Sequence, residues 1–416
     1  MKLPASNTAG LMSAVLSNSV LTNAAGRRNL TTLPPLSLYI HLPWCLKKCP
    51  YCDFNSHEFA GDKTGSALPE AQYIDCLERD LEAALPDIWG RAIQSVFIGG
   101  GTPSLFSADG IGQILRSART RIKIAPDAEV TMEANPGTFE LERFAGFAHA
   151  GVNRLSIGVQ SFNDEHLKKL GRVHDSSQAL LAARCASEFY STWNLDIMYG
   201  LPDQNLAQAC ADIDQAIGLN PPHISLYNLT LEPNTLFAKF PPKLPDDDLI
   251  ALMQESLEAK LQTAGYLRYE VSAWAKVGQQ SRHNRNYWEF GDYLGIGAGA
   301  HSKLSFHDRI ERQVRVRTPA DYQRLALLGQ AVSQRDIVQT DDLPFEFMLN
   351  ALRLVDGAPQ SLFEERTGLS VLAIQEPIKL ALKKGLLDED IGVFKASELG
   401  LRFLNDLQEL FLNAPK

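Results

Sequence analysis

The sequence has few cysteines, no long apolar run and no excess of positive charge. Six cysteines in 416 residues are too few for a disulfide-stapled fold, and a reducing, cytosol-like compartment is the simplest interpretation. No run of about 18 apolar residues occurs, so the sequence predicts no transmembrane helix. The net charge of -9 argues against non-specific nucleic-acid binding, which needs a positive surface. The length and the 45% hydrophobic content suit a large domain plus a smaller one.

The first 33 residues contain no acidic residue and are rich in Ser, Thr, Asn and Ala. Serines interrupt the apolar positions, which argues against a secretory signal. Two interpretations remain open: a disordered extension on a bacterial, cytoplasmic protein, or an organelle transit peptide that would make the protein mitochondrial. We favour the extension.

Short β-branched runs alternate with helix-length amphipathic segments from residue 37 onward. The predicted strands are residues 37–42, 95–100, 129–134, 154–159, 194–200 and 223–229. Segments such as 71–85 and 180–189 have the apolar spacing of helices packed on a sheet. This alternation predicts an α/β fold with a parallel sheet, and six units favour a partial (β/α)6 barrel over a closed eightfold one. Ligands then belong at the carboxyl ends of the strands.

The sequence changes character from about Asp336, where short helices precede a brief hairpin. This pattern is typical of a small winged-helix-like domain. DNA binding is one interpretation, but the acidic run at 388–390 favours packing onto the main domain. We therefore predict a disordered extension at 1–33, a core with a linking segment at 34–330, and a C-terminal, mostly helical domain at 331–416.

Three of the cysteines, Cys45, Cys49 and Cys52, lie within eight residues just after the first predicted strand. The spacing C-x3-C-x2-C lets one loop wrap three thiolates around a metal centre. Structural zinc would require a fourth ligand, which His41 or His57 would have to supply. An iron–sulfur cubane is the alternative, because three thiolates leave one iron open to a substrate or cofactor. Spacing and context favour the cluster.

This spacing, followed by a β/α chain, resembles the radical S-adenosylmethionine (SAM) superfamily. In that family the open iron of a [4Fe–4S] cluster binds SAM, whose reductive cleavage gives a 5′-deoxyadenosyl radical. The motif GGGTP at 99–103 matches the family's glycine motif. The resemblance implies that Gly100 and Gly101 let the backbone approach SAM and that Thr102 adds a hydroxyl. It also implies an electron donor such as a flavodoxin or ferredoxin.

Within the superfamily, the chain resembles the oxygen-independent coproporphyrinogen oxidase group from about Pro34 to its C-terminus. The resemblance implies SAM ligands at Tyr39, Glu133, Gln160, Arg172, Asp196 and, through its backbone, Thr230. Taken singly, Glu133 and Arg172 could form a surface pair, and Asp196 could be a cap. Together at strand ends, they favour a binding site.

Two features distinguish the chain within that group. The oxidases carry C-x3-C-x2-C-x-C, whereas the last position here is Phe54. CPYCDFNSH and HNRNYW (283–288) instead resemble the HemW-type branch, whose members are understood as heme chaperones. The resemblance implies a protein that holds a cluster, SAM and heme and delivers heme to membrane-bound respiratory haemoproteins. It would work in the cytoplasm, peripherally at the inner membrane, and a homodimer is a further expectation.

The alternative function is that of an oxygen-independent coproporphyrinogen III oxidase, which decarboxylates propionates through a substrate radical. Phe54 and HNRNYW favour the chaperone.

His283 is the candidate heme ligand. A neutral imidazole is a normal axial ligand of heme iron, and Tyr287 and Trp288 could flank a porphyrin. The structural interpretation is that His283 bonds within a buried polar turn, with Trp288 in the core. The resemblance favours ligation. His301, near the expected SAM pocket, receives no role.

Overall fold

A computed structural model describes residues 30–59, 68–137, 143–390 and 392–412. Most of the predicted extension at 1–33 lies outside the described residues. The strands are β1 (Leu36–Leu42), β2 (Trp44–Cys45), β3 (His57–Glu58), β4 (Ala92–Gly100), β5 (Lys123–Ala134), β6 (Arg154–Gln160), β7 (Thr192–Tyr199), β8 (His223–Asn228), β9 (Leu267–Glu270), β10 (Ala273–Ala275), β11 (Asp292–Ile296), β12 (His301–Ser305), β13 (Ile310–Arg315), β14 (Val332–Ile337), β15 (Ala358–Pro359) and β16 (Val393–Phe394).

Helices cover both the main sheet and the C-terminal part of the chain. They are α1 (Glu70–Ala84), α2 (Ala108–Arg121), α3 (Phe144–Ala150), α4 (Asp164–Lys169), α5 (Ser176–Phe189), α6 (Leu206–Gly218), α7 (Leu236–Lys239), α8 (Asp247–Thr263), α9 (Arg282–Trp288), α10 (Pro319–Ala326), α11 (Leu343–Ala351), α12 (Gln360–Thr367), α13 (Gln375–Lys383), α14 (Glu398–Arg402) and α15 (Leu404–Glu409). Short 3-10 turns occupy Leu85–Ile88, Pro103–Leu105, Thr340–Asp342 and Val371–Ile374. Across the described residues, no helix is long and apolar enough to cross a membrane.

Twelve strands form one sheet in the order β14-β13-β12-β11-β1-β4-β5-β6-β7-β8-β10-β9. Neighbouring strands are parallel in the central run β11-β1-β4-β5-β6-β7-β8. Antiparallel strands extend the sheet at both of its edges. All six predicted strands are present, as β1 and β4 to β8, and they are neighbours in the sheet. Right-handed β/α crossovers join neighbouring parallel strands in this way. The two ends of the sheet are different edge strands, so the barrel is partial. The predicted α/β class is confirmed.

Local sequence explains how the helices pack on this sheet. Helix α5 begins at a capping box in which Asp175 and Gln178 satisfy each other's backbone amides. Its buried face consists only of alanines, at 179, 182, 183 and 186. Small side chains let this helix lie close to the sheet, whose strands are buried on both faces.

The C-terminal region is helical, as expected, and has a hydrophobic cluster of its own. An antiparallel bridge between Leu387 and Ala396 closes a hairpin around the acidic run. The region packs onto the main domain, because the Phe347 ring lies 5.7 Å from that of Phe290. Strand β14 completes the large sheet although it lies beyond the predicted boundary at 330/331. That boundary stays a prediction.

Candidate functional site

The carboxyl ends of the parallel strands open into a cavity of about 340 Å³, here called the cysteine cavity. Three of its polar side chains, Glu133, Gln160 and Asp196, come from β5, β6 and β7. Of the residues predicted for the cluster and for SAM, those lining it are Cys45, Cys49, Cys52, Gly100, Gly101, Thr102, Glu133, Gln160, Arg172 and Asp196. The structure therefore brings ten of the predicted residues to one concave surface, where ligands of α/β proteins bind.

The cysteine loop, residues 43–59, is closed by a pair of two-residue strands, β2 and β3. The amide of His57 donates to the Pro43 carbonyl at 2.7 Å, and the amide of Phe59 donates to the Cys45 carbonyl at 2.8 Å. The amide of Thr102 binds the Trp44 carbonyl at 2.7 Å. These bonds fix the base of the loop against the glycine motif.

The glycine motif is required for the close approach of this loop. A Cβ at Gly101 would lie 2.5 Å from the Trp44 carbonyl oxygen, a contact that real side chains do not make. Gly100 has a φ of 117°, and a Cβ there would lie 2.6 Å from the His41 ring. A larger residue would therefore push the loop away from the strand ends.

A chain of hydrogen bonds joins two of the three thiols. The Thr102 hydroxyl donates to Cys45 Sγ at 3.5 Å and accepts from Asn135 Nδ2 at 3.0 Å. Arg172 then donates through Nη2 to Asn135 Oδ1 at 2.6 Å and through Nη1 to Cys49 Sγ at 3.7 Å. Asn135 is a functional residue that sequence reasoning missed. It lies in the motif MEANP, but a single Asn after a strand is ordinarily a turn residue.

The surroundings of the third thiol and the burial of the loop affect how the thiols could bind a metal. Cys52 Sγ lies 4.0 Å from the Ser56 hydroxyl. Burial raises the pKa of the Cys45 and Cys52 thiols, so a metal must displace their protons to bind thiolate. Within the part of the chain that the structure describes, no three His, Cys, Asp or Glu side chains are arranged to hold a single ion. A cubane would take each thiolate on a separate iron.

Two partly buried carboxylates, those of Glu133 and Asp196, line the cavity. The Gly100 amide donates to Glu133 Oε2 at 3.1 Å. Burial, together with the Asp196 charge, raises the pKa of Glu133 to about 7. Asp196 accepts from Asn194 at 2.8 Å and from Ser156 at 3.2 Å, and burial raises its pKa despite these bonds. Two desolvated carboxylates in one cavity favour a cationic ligand.

Two further predicted residues carry unusual features at the cavity wall. Gln160 has a φ of 69°, in the left-handed region that non-glycine residues seldom adopt. The Nε of Arg172 is buried and has no hydrogen-bond partner in the structure. A buried donor without a partner leaves a place for a ligand acceptor.

Tyr39 and Thr230 do not line the cysteine cavity. Tyr39 lines an adjoining cavity of about 420 Å³, and its hydroxyl lies 2.9 Å from His41 Nδ1. The Thr230 hydroxyl binds the Asn228 carbonyl at 3.4 Å. Their predicted roles in SAM binding stay predictions.

His283 is 3% exposed and lines neither cavity. Its Nδ1 is 3.0 Å from the Ser95 hydroxyl, and its ring is stacked 4.8 Å from Phe97. Tyr287 covers the ring at 5.1 Å, and burial lowers the pKa of His283 to about 3. This arrangement matches the structural interpretation of the residue. Heme ligation by His283 stays a prediction.

Comparison with known proteins gives a consistent assignment. Residues 39–216 match the radical SAM superfamily, and residues 338–403 match the HemN C-terminal domain. The chain is 49% identical to the heme chaperone HemW of Escherichia coli over 385 residues, which are 92% of this chain and 100% of that protein. It is 48% identical to the heme chaperone HemW of Haemophilus influenzae over 386 residues, 91% of this chain and 98% of that protein.

A solved structure shares the fold over nearly the whole chain. This is the coproporphyrinogen III oxidase HemN of Escherichia coli, described as a radical SAM enzyme. The TM-score is 0.77 at 24% identity, and the match covers 95% of this chain and 93% of that one. The chain therefore belongs to the HemW family of the radical SAM superfamily.

Proposed function

We propose that this protein is a heme chaperone that holds a [4Fe–4S] cluster, binds SAM and carries heme. The observation that carries the proposal is the 49% identity to the heme chaperone HemW of Escherichia coli along that protein's entire length. A collinear match of this extent includes the cysteine loop, the strand ends and the C-terminal region. The geometry of the cysteine cavity supports each part separately.

Cys45, Cys49 and Cys52 would hold the cluster. All three line one cavity, and two of them accept hydrogen bonds from residues outside the loop, Thr102 and Arg172. Hydrogen bonds to the sulfurs tune an iron–sulfur centre and stabilise the thiolate form. The cluster would supply one-electron chemistry, and these side chains would hold it.

SAM would lie against the strand ends beside the cluster. Its ammonium group suits the carboxylates of Glu133 and Asp196, and its carboxylate suits the unpartnered Nε of Arg172. Gln160 would add a polar contact from its strained backbone position. Tyr39 and Thr230 would contribute from outside the cysteine cavity.

Phe54 separates this proposal from the oxidase alternative. It is 59% exposed and lines both the cysteine cavity and the adjoining one. An exposed aromatic ring at a cavity mouth suits a flat apolar cargo such as a porphyrin. The resemblance to HemN, at 24% identity, concerns the fold.

The heme acceptors would be membrane-bound respiratory haemoproteins, and the chaperone would work as a peripheral protein on the cytoplasmic face of that membrane. A flavodoxin or ferredoxin would supply electrons to the cluster. A homodimer would be the assembly in solution.

Anaerobic reconstitution of the full chain, followed by two parallel assays, tests the proposal. One assay supplies coproporphyrinogen III, SAM and reductant and measures protoporphyrinogen, while the other titrates heme and follows its absorption. Heme binding without conversion supports the chaperone. Robust conversion would replace it with the oxidase.

A further inference from the structure

The cavity next to the cysteine cavity has the composition of a porphyrin site. It has a volume of about 420 Å³ and is here called the tyrosine cavity. Its aromatic and basic side chains include Tyr39, Phe54, Tyr287, Tyr293, His301 and Arg317, and the carboxylates of Asp53 and Glu133 also line it. Ligand pockets of this size are lined mainly by aromatic groups with a few polar ones that fix orientation.

We propose that heme occupies the tyrosine cavity, with His301 as the axial ligand of its iron and Arg317 paired with a propionate. This inference rests on the proposed function, because it names the place where that function holds its cargo. It assigns to His301, which the sequence left without a role, the ligation that was predicted for His283; His283 is 3% exposed and lies against Ser95 and Phe97.

The aromatic walls of the cavity suit a flat macrocycle. The rings of Tyr287 and Tyr293 lie 4.5 Å apart at 38°, and Tyr39 is stacked 6.2 Å from Phe97 behind it. Phe54 stands at the boundary with the cysteine cavity, because it lines both. Such rings offer large apolar area at a low cost in conformational entropy.

His301 is the available nitrogen ligand. His41 also lines the cavity, but its Nδ1 binds the Tyr39 hydroxyl at 2.9 Å and its Nε2 binds the Asn55 carbonyl at 2.9 Å. His301 is partly exposed, and its ring has no hydrogen bond among residues that the structure describes. Burial, followed by the charges of Arg312 and Arg317, lowers its pKa. The imidazole is therefore neutral at pH 7, which is the form that binds iron.

The tyrosines are poorer ligands in this setting. The Tyr293 hydroxyl accepts from Arg312 at 3.2 Å. Burial, with a contribution from Tyr293, raises the pKa of Tyr287 well above its usual 10. A phenol that keeps its proton at neutral pH does not offer the phenolate that iron requires.

Arg317 supplies the positive charge for a propionate. Its guanidinium has no ion pair among the described residues, although the chain is acidic overall. It lines the tyrosine cavity and also a neighbouring cavity of about 620 Å³, which contains Lys48. Tyr287 and Tyr293 do not line that neighbouring cavity. The polar edge of heme would therefore point toward Arg317 and its apolar edge toward the tyrosines.

The test uses the full, cluster-reconstituted chain titrated anaerobically with heme, with absorption and resonance Raman spectra as readouts. His301→Ala should remove the histidine-ligated spectrum and weaken binding by at least the roughly 10- to 100-fold that loss of a ligand-supporting group costs. Added imidazole should restore the spectrum. His149→Ala, which alters an exposed histidine on α3, is the matched control and should behave as wild type.

A second pair of variants tests orientation independently of ligation. Arg317→Gln should weaken heme binding by up to about fivefold and leave binding of heme dimethyl ester, which has no carboxylates, unchanged. Arg184→Gln on α5 is the control. Equal loss for both porphyrins would overturn the role of Arg317.

The outcomes separate this inference from the proposed function. An unaltered spectrum in His301→Ala, or its loss in His283→Ala alone, would overturn the assignment of His301 while heme binding itself stands. Absence of heme binding by the wild-type protein would overturn the proposed function and this inference together.

Discussion

The hydroxyl of Thr102 donates a hydrogen bond to the thiol of Cys45 across 3.5 Å. This bond links the end of β4 to the cysteine loop, and Asn135 supports it from the end of β5. The glycine motif and Cys45 thus belong to one hydrogen-bonded unit.

Replacing this hydroxyl should change the cluster's reduction potential. Thr102→Val keeps the shape of the side chain but removes the donor, and a donor to sulfur stabilises the more negative, reduced state. A neutral hydrogen bond of about 1 kcal/mol corresponds to a shift of about 40 mV to more negative potential. Spectroelectrochemistry measures the shift, with exposed Thr263→Val on α8 as control. An unchanged potential would show that the bond does not reach the cluster.

Each of the three loop cysteines should be necessary for the cluster. We expect Cys45→Ala, Cys49→Ala and Cys52→Ala each to lose the iron–sulfur absorption after reconstitution, because a cubane needs all three thiolates. Cys185→Ala, on α5 and away from the loop, should keep it. Iron and sulfide analysis provides the measurement. A full cluster in all three variants would refute the site.

Gly101→Ala should destabilise the folded chain. Its methyl would lie 2.5 Å from the Trp44 carbonyl, and such overpacking costs about 1–3 kcal/mol. Urea unfolding at equilibrium measures the loss. Gly218→Ala is the control, because nothing lies within 4 Å of the added methyl and alanine favours a helix by roughly 0.5–1 kcal/mol. Equal stability of the two variants would contradict the close approach.

Glu133 should make the ligand-free protein less stable as pH rises. Its folded pKa of about 7 exceeds the ordinary value of 4.5, so the folded state binds more protons between these values and stability falls across that window. Glu133→Gln should remove the fall, giving a protein on the order of 3 kcal/mol more stable above pH 7 and equally stable at pH 4.

Unfolding by urea at several pH values checks this expectation, with exposed Glu188→Gln as control. A Glu133→Gln variant with the wild-type pH dependence would show that the pKa of Glu133 is not raised in the folded protein.

The central part of the fold could be predicted because buried parallel strands consist mainly of apolar, β-branched residues. All six such strands were found. The strands β11 to β14 were not predicted, and the last two illustrate why. IERQVR in β13 and VSQRDI in β14 carry mostly polar side chains. Strand β14 is an exposed edge strand, and β13 beside it buries polar side chains such as Gln313 and Arg315, so neither strand gives the apolar signal of a buried strand.

The site was predictable where chemistry demands a fixed spacing. The cysteines and the glycine motif met this condition. Asn135 did not, because its role depends on the approach of Thr102 and Arg172 from elsewhere in the chain. Tyr39 faces the adjoining cavity instead of the cysteine cavity, and which of two neighbouring cavities a strand-end residue faces is a tertiary property.

Heme transfer tests the central claim most directly. The full chain, reconstituted with its cluster and loaded with heme, is mixed with membranes that contain a heme-free respiratory haemoprotein, and the acceptor's heme spectrum and activity are followed. The chaperone account predicts loss of heme from this protein and a matching gain of holo-acceptor, faster than from free heme. Retention of heme with no gain in the acceptor, together with turnover of coproporphyrinogen III, would contradict it.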